Sequence, residues 1–266
     1  MLPLTPTFPC NMCASESNAP LYAAFSAARD LLKTIEEDAK AFVEFPPSPN
    51  IPHRFPYIQS LRRLRSDDQR MDFRIIDSLG DNTQSRFLYL AKVLNMDSMP
   101  ILVKFSKKYG KEVHEFCALR NYAPQLLAFE ELPGGWFGIA MECFLDAANI
   151  DESPSLVEHG ETWLKQIDEI VSTLHEHGYV HGDLRVPNFI VDEERLLLVD
   201  FDWGGKEGQA SFPDTDLVPV LRANRDVRLI GKENDRNVVA FTKLEIVQKI
   251  VELKAAKYRL YSSVSA

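Results

Sequence analysis

The chain of 266 residues has no run of about 18 apolar residues, which argues against a membrane-spanning helix. It also lacks a basic start followed by an apolar stretch, so no secretory signal is read at its beginning. Positive charge is in deficit. Thirty Lys and Arg against 39 Asp and Glu leave a formal net charge of −9. A general nucleic-acid binder would need a basic face to neutralise phosphates, so that class is excluded. The four cysteines cannot frame a chain of this length with disulfides, and a reducing, intracellular and by default cytoplasmic setting is expected. Cys10 and Cys13 form a lone Cys-x-x-Cys with no second ligand pair at zinc-site spacing, and read as free thiols. No internal repeat or long low-complexity tract is found.

What remains is ordinary for a globular protein, with 45% hydrophobic and 26% charged residues. That length suits one two-lobed domain or two small ones. Nine of the 16 prolines fall before residue 57, so the first part differs from the rest. Residues 1–20, rich in Pro, Ser, Thr and Asn, read as a disordered tail. Leu21, Phe25, Ala28, Leu32, Ile35, Ala39 and Phe42 then recur at steps of four and three, predicting a helix ended by Pro46-Pro47. Its stripe is expected to dock on the body of the protein. Residues 46–58 read as an extended connector.

Farther on, runs around Phe73–Ile76, Arg86–Val93 and Ile101–Phe105 predict an antiparallel meander. A helix is expected over Glu112–Asn121 and a further strand over Trp136–Cys143. Leu164, Ile167, Val171 and Leu174 mark a helix capped by Gly178. Phe241, Leu244, Val247 and Val251 mark the apolar face of a last helix.

The most informative stretch is His181-Gly182-Asp183-Leu184-Arg185-Val186-Pro187-Asn188, followed by Val199-Asp200-Phe201-Asp202. Phe189–Val191 and Leu196–Val199 read as two short buried strands around a polar turn at Asp192–Arg195. Such a hairpin brings Asn188 and Asp200 together at its open end, with Asp183 just upstream. Phosphoryl transfer from ATP needs one carboxylate at the acceptor hydroxyl, and a carboxylate and an amide on magnesium. Lys104 sits inside an apolar strand, where an unpaired ammonium is costly, so a carboxylate or ligand is expected beside it.

The His-x-Asp-x-x-x-x-Asn pattern with its downstream Asp-Phe resembles the catalytic and metal-binding loops of the protein-kinase-like superfamily. The phrases Pro133-Gly134-Gly135-Trp136 and Val199-Asp200-Phe201-Asp202-Trp203 resemble kinase-like proteins common in basidiomycete fungi. The resemblance spans roughly residues 72–250. It implies an α+β, two-lobed kinase-like fold, with an antiparallel β N-lobe at 71–145 and a short, mainly helical C-lobe at 146–266. Residues 21–70 become a helical and Pro-rich extension.

The same resemblance implies roles. Asp183 would be the catalytic base, and Arg185 would stabilise charge on the transferred group. Asn188 and Asp200 would hold Mg2+. Lys104 would orient the ATP phosphates, supported by Glu112. Gly80 is the remaining glycine of the phosphate-covering loop, and Met141 and Cys143 flank the hinge that meets adenine. The implied activity is ATP- and Mg-dependent transfer of the γ-phosphate to a hydroxyl on a protein or small molecule. A pseudokinase binding module and an aminoglycoside- or choline-type small-molecule kinase are the alternatives. Asp202 replaces the usual glycine, which suits the small-molecule branch and argues against a loop that flips. No Ala-Pro-Glu segment follows Asp200.

Overall fold

The structure is a computed structural model that describes residues 19–44, 58–64, 69–79, 87–94, 99–212 and 229–264. Nearly all of the expected tail, most of the Pro-rich connector, Gly80 with most of its loop, and residues 213–228 lie outside the described residues. Residues 1–59 and 60–266 form separate compact units. In the first, α1 (Ala19–Glu44) is the expected helix.

The second unit begins with a six-stranded antiparallel sheet in the order β1-β2-β3-β4-β6-β5. Its strands are β1 (Ser60–Arg62), β2 (Arg70–Ser78), β3 (Phe87–Val93), β4 (Pro100–Ser106), β5 (Leu126–Leu132) and β6 (Trp136–Glu142). The meander is the expected one, joined by β1 and β5, which were not foreseen. Pro133-Gly134-Gly135 closes the β5–β6 hairpin. Both glycines take positive φ, +73° and +70°, a backbone that side chains disfavour. In β4 the period of two puts Ile101, Val103 and Phe105 on a fully buried face, and Leu102 and Lys104 on the other. Lys104 lies between Leu88 of β3 and Ile139 of β6.

Between β4 and β5 runs α2 (Lys111–Ala118), shorter than expected. After β6 and the two-residue strand β7 (Ala148–Asn149) comes α3 (Leu156–Glu176). It buries Trp163, Ile167, Ile170, Val171 and Leu174 in the main core with Phe189, Leu196, Leu198 and Phe201. The hairpin follows as β9 (Phe189–Asp192) and β10 (Arg195–Leu198), paired in register with Leu198 opposite Phe189. β7 extends this ribbon on the β9 side. The short strands β8 (Tyr179–Val180) and β11 (Gly205–Lys206) pair with each other.

The last helix, α4 (Lys232–Val264), corrects one expectation. Phe241, Leu244, Val247 and Val251 are exposed, whereas Val238, Val239, Thr242, Ile246 and Ile250 are buried. The helix carries apolar residues on two faces, and periodicity cannot choose between them. The choice is made by α3, whose Gly160 admits the tip of Ile250: a Cβ there would meet Ile250 Cδ1 at 2.5 Å.

Ile246→Ala is therefore expected to cost about 2–5 kcal/mol of unfolding free energy as a cavity forms. Leu244→Ala should stay within about 0.5 kcal/mol of the wild type. Urea denaturation of both variants checks which face is core.

Candidate active site

The site is built from the open end of the β9–β10 ribbon. Val199 N donates to Asn188 O at 2.9 Å, which continues the ladder past Leu198 and sets Asn188 beside the start of the following loop. Asn188 ends a short 3-10 turn, Val186–Asn188, and is buried. Its Nδ2 donates to Asp183 O at 2.7 Å. One of the amide's two N–H donors is thus used on the backbone, and Oδ1 is the atom able to accept or to hold a cation. Asp200 follows in a left-handed conformation, φ 67° and ψ 66°, which is costly for a residue with a Cβ. That turn points the next three residues into a second 3-10 turn, Phe201–Trp203.

Lys104 comes to these loops from β4. Its Nζ lies 2.5 Å from Asp200 Oδ1 and 2.6 Å from Asp202 Oδ1. Burial by itself pulls the lysine down, but the two aspartates outweigh it and leave its pKa above the usual value. Asp202 is pushed up, first by burial and then by the charge of Asp200, against the pull of Lys104 and Ser106. Ser106, two residues on from Lys104, lies 3.0 Å from Asp202 Oδ2 through its Oγ. Asp202 Oδ1 is buried and meets the ammonium off the direction of a hydrogen bond, so the contact is an ion pair.

Glu112 does not take the role expected of it. It is two-thirds exposed and faces Lys206 at 3.9 Å, and no described ion pair joins it to Lys104. The turn of α2 that faces inward carries His114 instead. Glu112 falls on the solvent face because the buried positions are Val113, His114 and Cys117. His114 is fully buried. Its Nε2 donates to Pro124 O at 2.7 Å and its Nδ1 accepts from the Tyr109 hydroxyl at 2.6 Å, which fixes the neutral tautomer. Burial, with the charge of Lys104 adding to it, lowers its pKa to about 4. Tyr109, partly buried beside the aspartates, has its phenol pKa raised well above normal by burial and by the charges of Asp202 and Asp200, and stays protonated.

The His114 ring stacks on Phe201 at 4.6 Å, and the other side of Phe201 meets His181 edge-on at 5.1 Å. His181 Nε2 is hydrogen-bonded to Val199 O. One aromatic column therefore ties α2 to both loops. Gly110 N donates to Phe201 O at 2.8 Å, and a Cβ at Gly110 would meet Gly204 O at 2.4 Å. A glycine is required there because the two backbones touch.

Asp183 is almost fully buried and is held by a fork from Arg185, Nε to Oδ1 at 2.5 Å and Nη2 to Oδ2 at 2.7 Å. These bonds raise the Arg185 pKa, with Asp200 adding to the effect. Gly182 precedes it with φ +84°, and a Cβ would collide with Ile230. Asp235, in the first turn of α4, accepts from His181 N at 2.8 Å, from Gly182 N at 2.7 Å and, at 3.2 Å, from His175 Nε2. Sequence reasoning missed this residue. The only signal was a buried acid at a helix start, some fifty positions away. Met141 is buried at the end of β6 and Cys143 follows it, half-buried, with its thiol pKa raised by burial.

The donor set suits a hard cation. Asn188 Oδ1 and the Asp200 carboxylate could offer it oxygen ligands, and magnesium takes few protein ligands, completing its shell with water and phosphate. Among the described residues there is no group of three or more His, Cys, Asp or Glu able to hold a metal alone.

A neutral buried His114 has a sign for stability. Its folded pKa lies below its unfolded 6.5, so its contribution is fully present above pH 6.5 and is lost as pH falls toward 4. The loss is roughly 3 kcal/mol at most. The melting temperature should fall steeply between pH 6.5 and 4. His114→Gln should flatten that part of the profile, measured by thermal unfolding.

No family model matches the chain. It is 26% identical, over 121 residues, to the dual specificity protein kinase Ttk of Danio rerio. That match covers 44% of this chain but only 12% of the relative, so the chain spans about an eighth of that protein's length. The structure of the kinase PK-1 from the Cydia pomonella granulovirus is similar with a TM-score of 0.54 and 20% identity, over 65% of this chain and 70% of that one. Vaccinia related kinase 3 gives a TM-score of 0.49 at 16% identity, over 70% and 66%. Among the described residues no helix is long and apolar enough to cross a membrane. The described residues of the second unit, an antiparallel sheet joined to a helical region, have a kinase-like fold.

Proposed function

We propose that the chain is an ATP- and Mg-dependent phosphotransferase of the atypical protein-kinase-like class, passing the γ-phosphate to a hydroxyl acceptor. The observation that carries this reading is the meeting of Lys104 with Asp200 at 2.5 Å, beside an Asn188 whose Oδ1 is left open. A cation for phosphates and oxygen ligands for a metal then lie in one place, which is what stabilising a transferring phosphoryl group requires. Bound magnesium would neutralise the phosphates, with Asn188 and Asp200 holding it.

Asp183 would accept the proton of the acceptor hydroxyl. The Arg185 fork fixes its carboxylate in direction, and Nη1 of Arg185 lies outside that fork for charge on the transferred group. Met141 and Cys143 would frame the adenine edge, and Gly80 would cover the phosphates. The resemblance to kinase-like proteins of basidiomycete fungi belongs to the same reading.

Two measurements test it. ATP with Mg2+ should raise the melting temperature more than ATP with EDTA, because a ligand that binds the folded state stabilises it. Asp183→Ala should abolish phosphate transfer, a loss of about 100-fold or more for a general base, while this melting shift persists. Equal turnover by Asp183→Ala sinks the catalytic assignment. A Mg-dependent shift without any turnover by the wild type would instead favour a pseudokinase.

A further inference from the structure

Lys104 is largely buried, its side chain 13% exposed, and an ammonium so placed needs a carboxylate beside it. In this chain α2 supplies none. Glu112 is on the solvent face with Lys206, and the inward position is His114, held neutral between Tyr109 and Pro124. Both anions come from one loop, three residues long, as Asp200 and Asp202.

These two aspartates are not equivalent. Asp200, next to Asn188, is the one placed for a cation. Once it serves a cation, its charge is shared, and Lys104 needs a second partner. Asp202 stands on the other side, beside Ser106. The Ser106 hydroxyl lies 3.0 Å from Asp202 Oδ2 and divides its one proton between that oxygen and Lys108 O at 2.7 Å, so the carboxylate is met from the same strand that carries the lysine. The turn is fixed in turn by Gly110 N on Phe201 O and by the contact of Gly110 with Gly204. A carboxylate held on a rigid turn, 2.6 Å from the ammonium, can keep Lys104 aimed without help from the helix.

We infer that Asp202 is the positioning residue of Lys104, taking over from α2 the task of holding the phosphate-binding ammonium while Asp200 is released to the metal. Ser106 orients Asp202. The inference rests on the phosphotransferase reading and deepens it, since it names what holds Lys104 when nucleotide is bound.

A double-mutant cycle on the full chain tests it, with the affinity for a fluorescent ATP analogue in Mg2+ as readout. Asp202→Asn and Lys104→Met should each weaken binding, by about tenfold, the equivalent of about 1.4 kcal/mol. In the Lys104→Met background Asp202→Asn should cost nothing further, because its effect runs through the lysine. A merely structural role would instead give losses that multiply. That result, or wild-type affinity in Asp202→Asn, overturns the inference while leaving the phosphotransferase reading intact. A wild-type chain that does not bind the analogue removes that reading, and this inference with it. Should Asp202→Asn fail to fold by circular dichroism, Ser106→Ala enters the same cycle, keeping every charge, with the same non-additivity expected and the same multiplication overturning it.

Discussion

The structure depends on one largely buried ammonium. Lys104 stands on an apolar strand, between Leu88 and Ile139, and cannot stay charged there alone. Two carboxylates within 2.6 Å pull its pKa above the usual value in spite of burial. Desolvation penalises every member of such a cluster, and the raised Asp202 shows where the cost falls. Breaking a pair of this kind leaves an uncompensated buried charge, typically at about 3–5 kcal/mol, so the sheet and the loop below it are bound to each other. The left-handed turn at Asp200 is costly for a residue with a Cβ, and the ion pair with Lys104 offsets part of that cost.

The loops around that centre are held by the helical region in ways that do not involve Lys104 or Asn188 directly. Asp235 satisfies two consecutive buried N–H groups, at His181 and Gly182, that no strand partner reaches. Leaving them unpaired would cost about 1–3 kcal/mol each. Gly182 can meet Asp235 only because it adopts φ +84° with no side chain to strike Ile230. From there the aromatic column of His181, Phe201 and His114 carries the geometry up to α2. Packing through rings of fixed shape transmits position, so the carboxylates stay where the helical core puts them.

How much of this could be read from the chain depends on distance along it. The hairpin was legible, because two short apolar runs and a polar turn are local, and Leu198 does lie opposite Phe189. So was the place of Lys104, since an ammonium inside an apolar run announces a partner. The identity of that partner was not legible. Glu112 sits at a plausible spacing, but whether a helical residue faces inward depends on a rotation that tertiary packing sets, and here Val113, His114 and Cys117 won the inward face. The same ambiguity reversed the face of α4, where both stripes are apolar and Ile246 and Ile250, rather than Leu244 and Val247, meet the core. Asp235 was invisible for a related reason, since its partners lie 53 and 54 residues away.

Moving the counter-ions of Lys104 from a helix to a loop changes what the fold can do. Where a helix supplies the acid, swinging the helix breaks the pair and a site can be switched. Here α2 contributes no charge to Lys104, so a shift of α2 has no direct ionic grip on the lysine. What α2 does hold is the loop itself, through His114 on Phe201 and through the backbone contact of Gly110 with Gly204. The β11–β8 pairing pins the far end of that loop. Turning Phe201 out would have to break the Gly110 hydrogen bond, the ring column and both ion pairs of Lys104 together. Contacts that must be lost at once make a cooperative unit, so the backbone of this loop is held as part of the packed body.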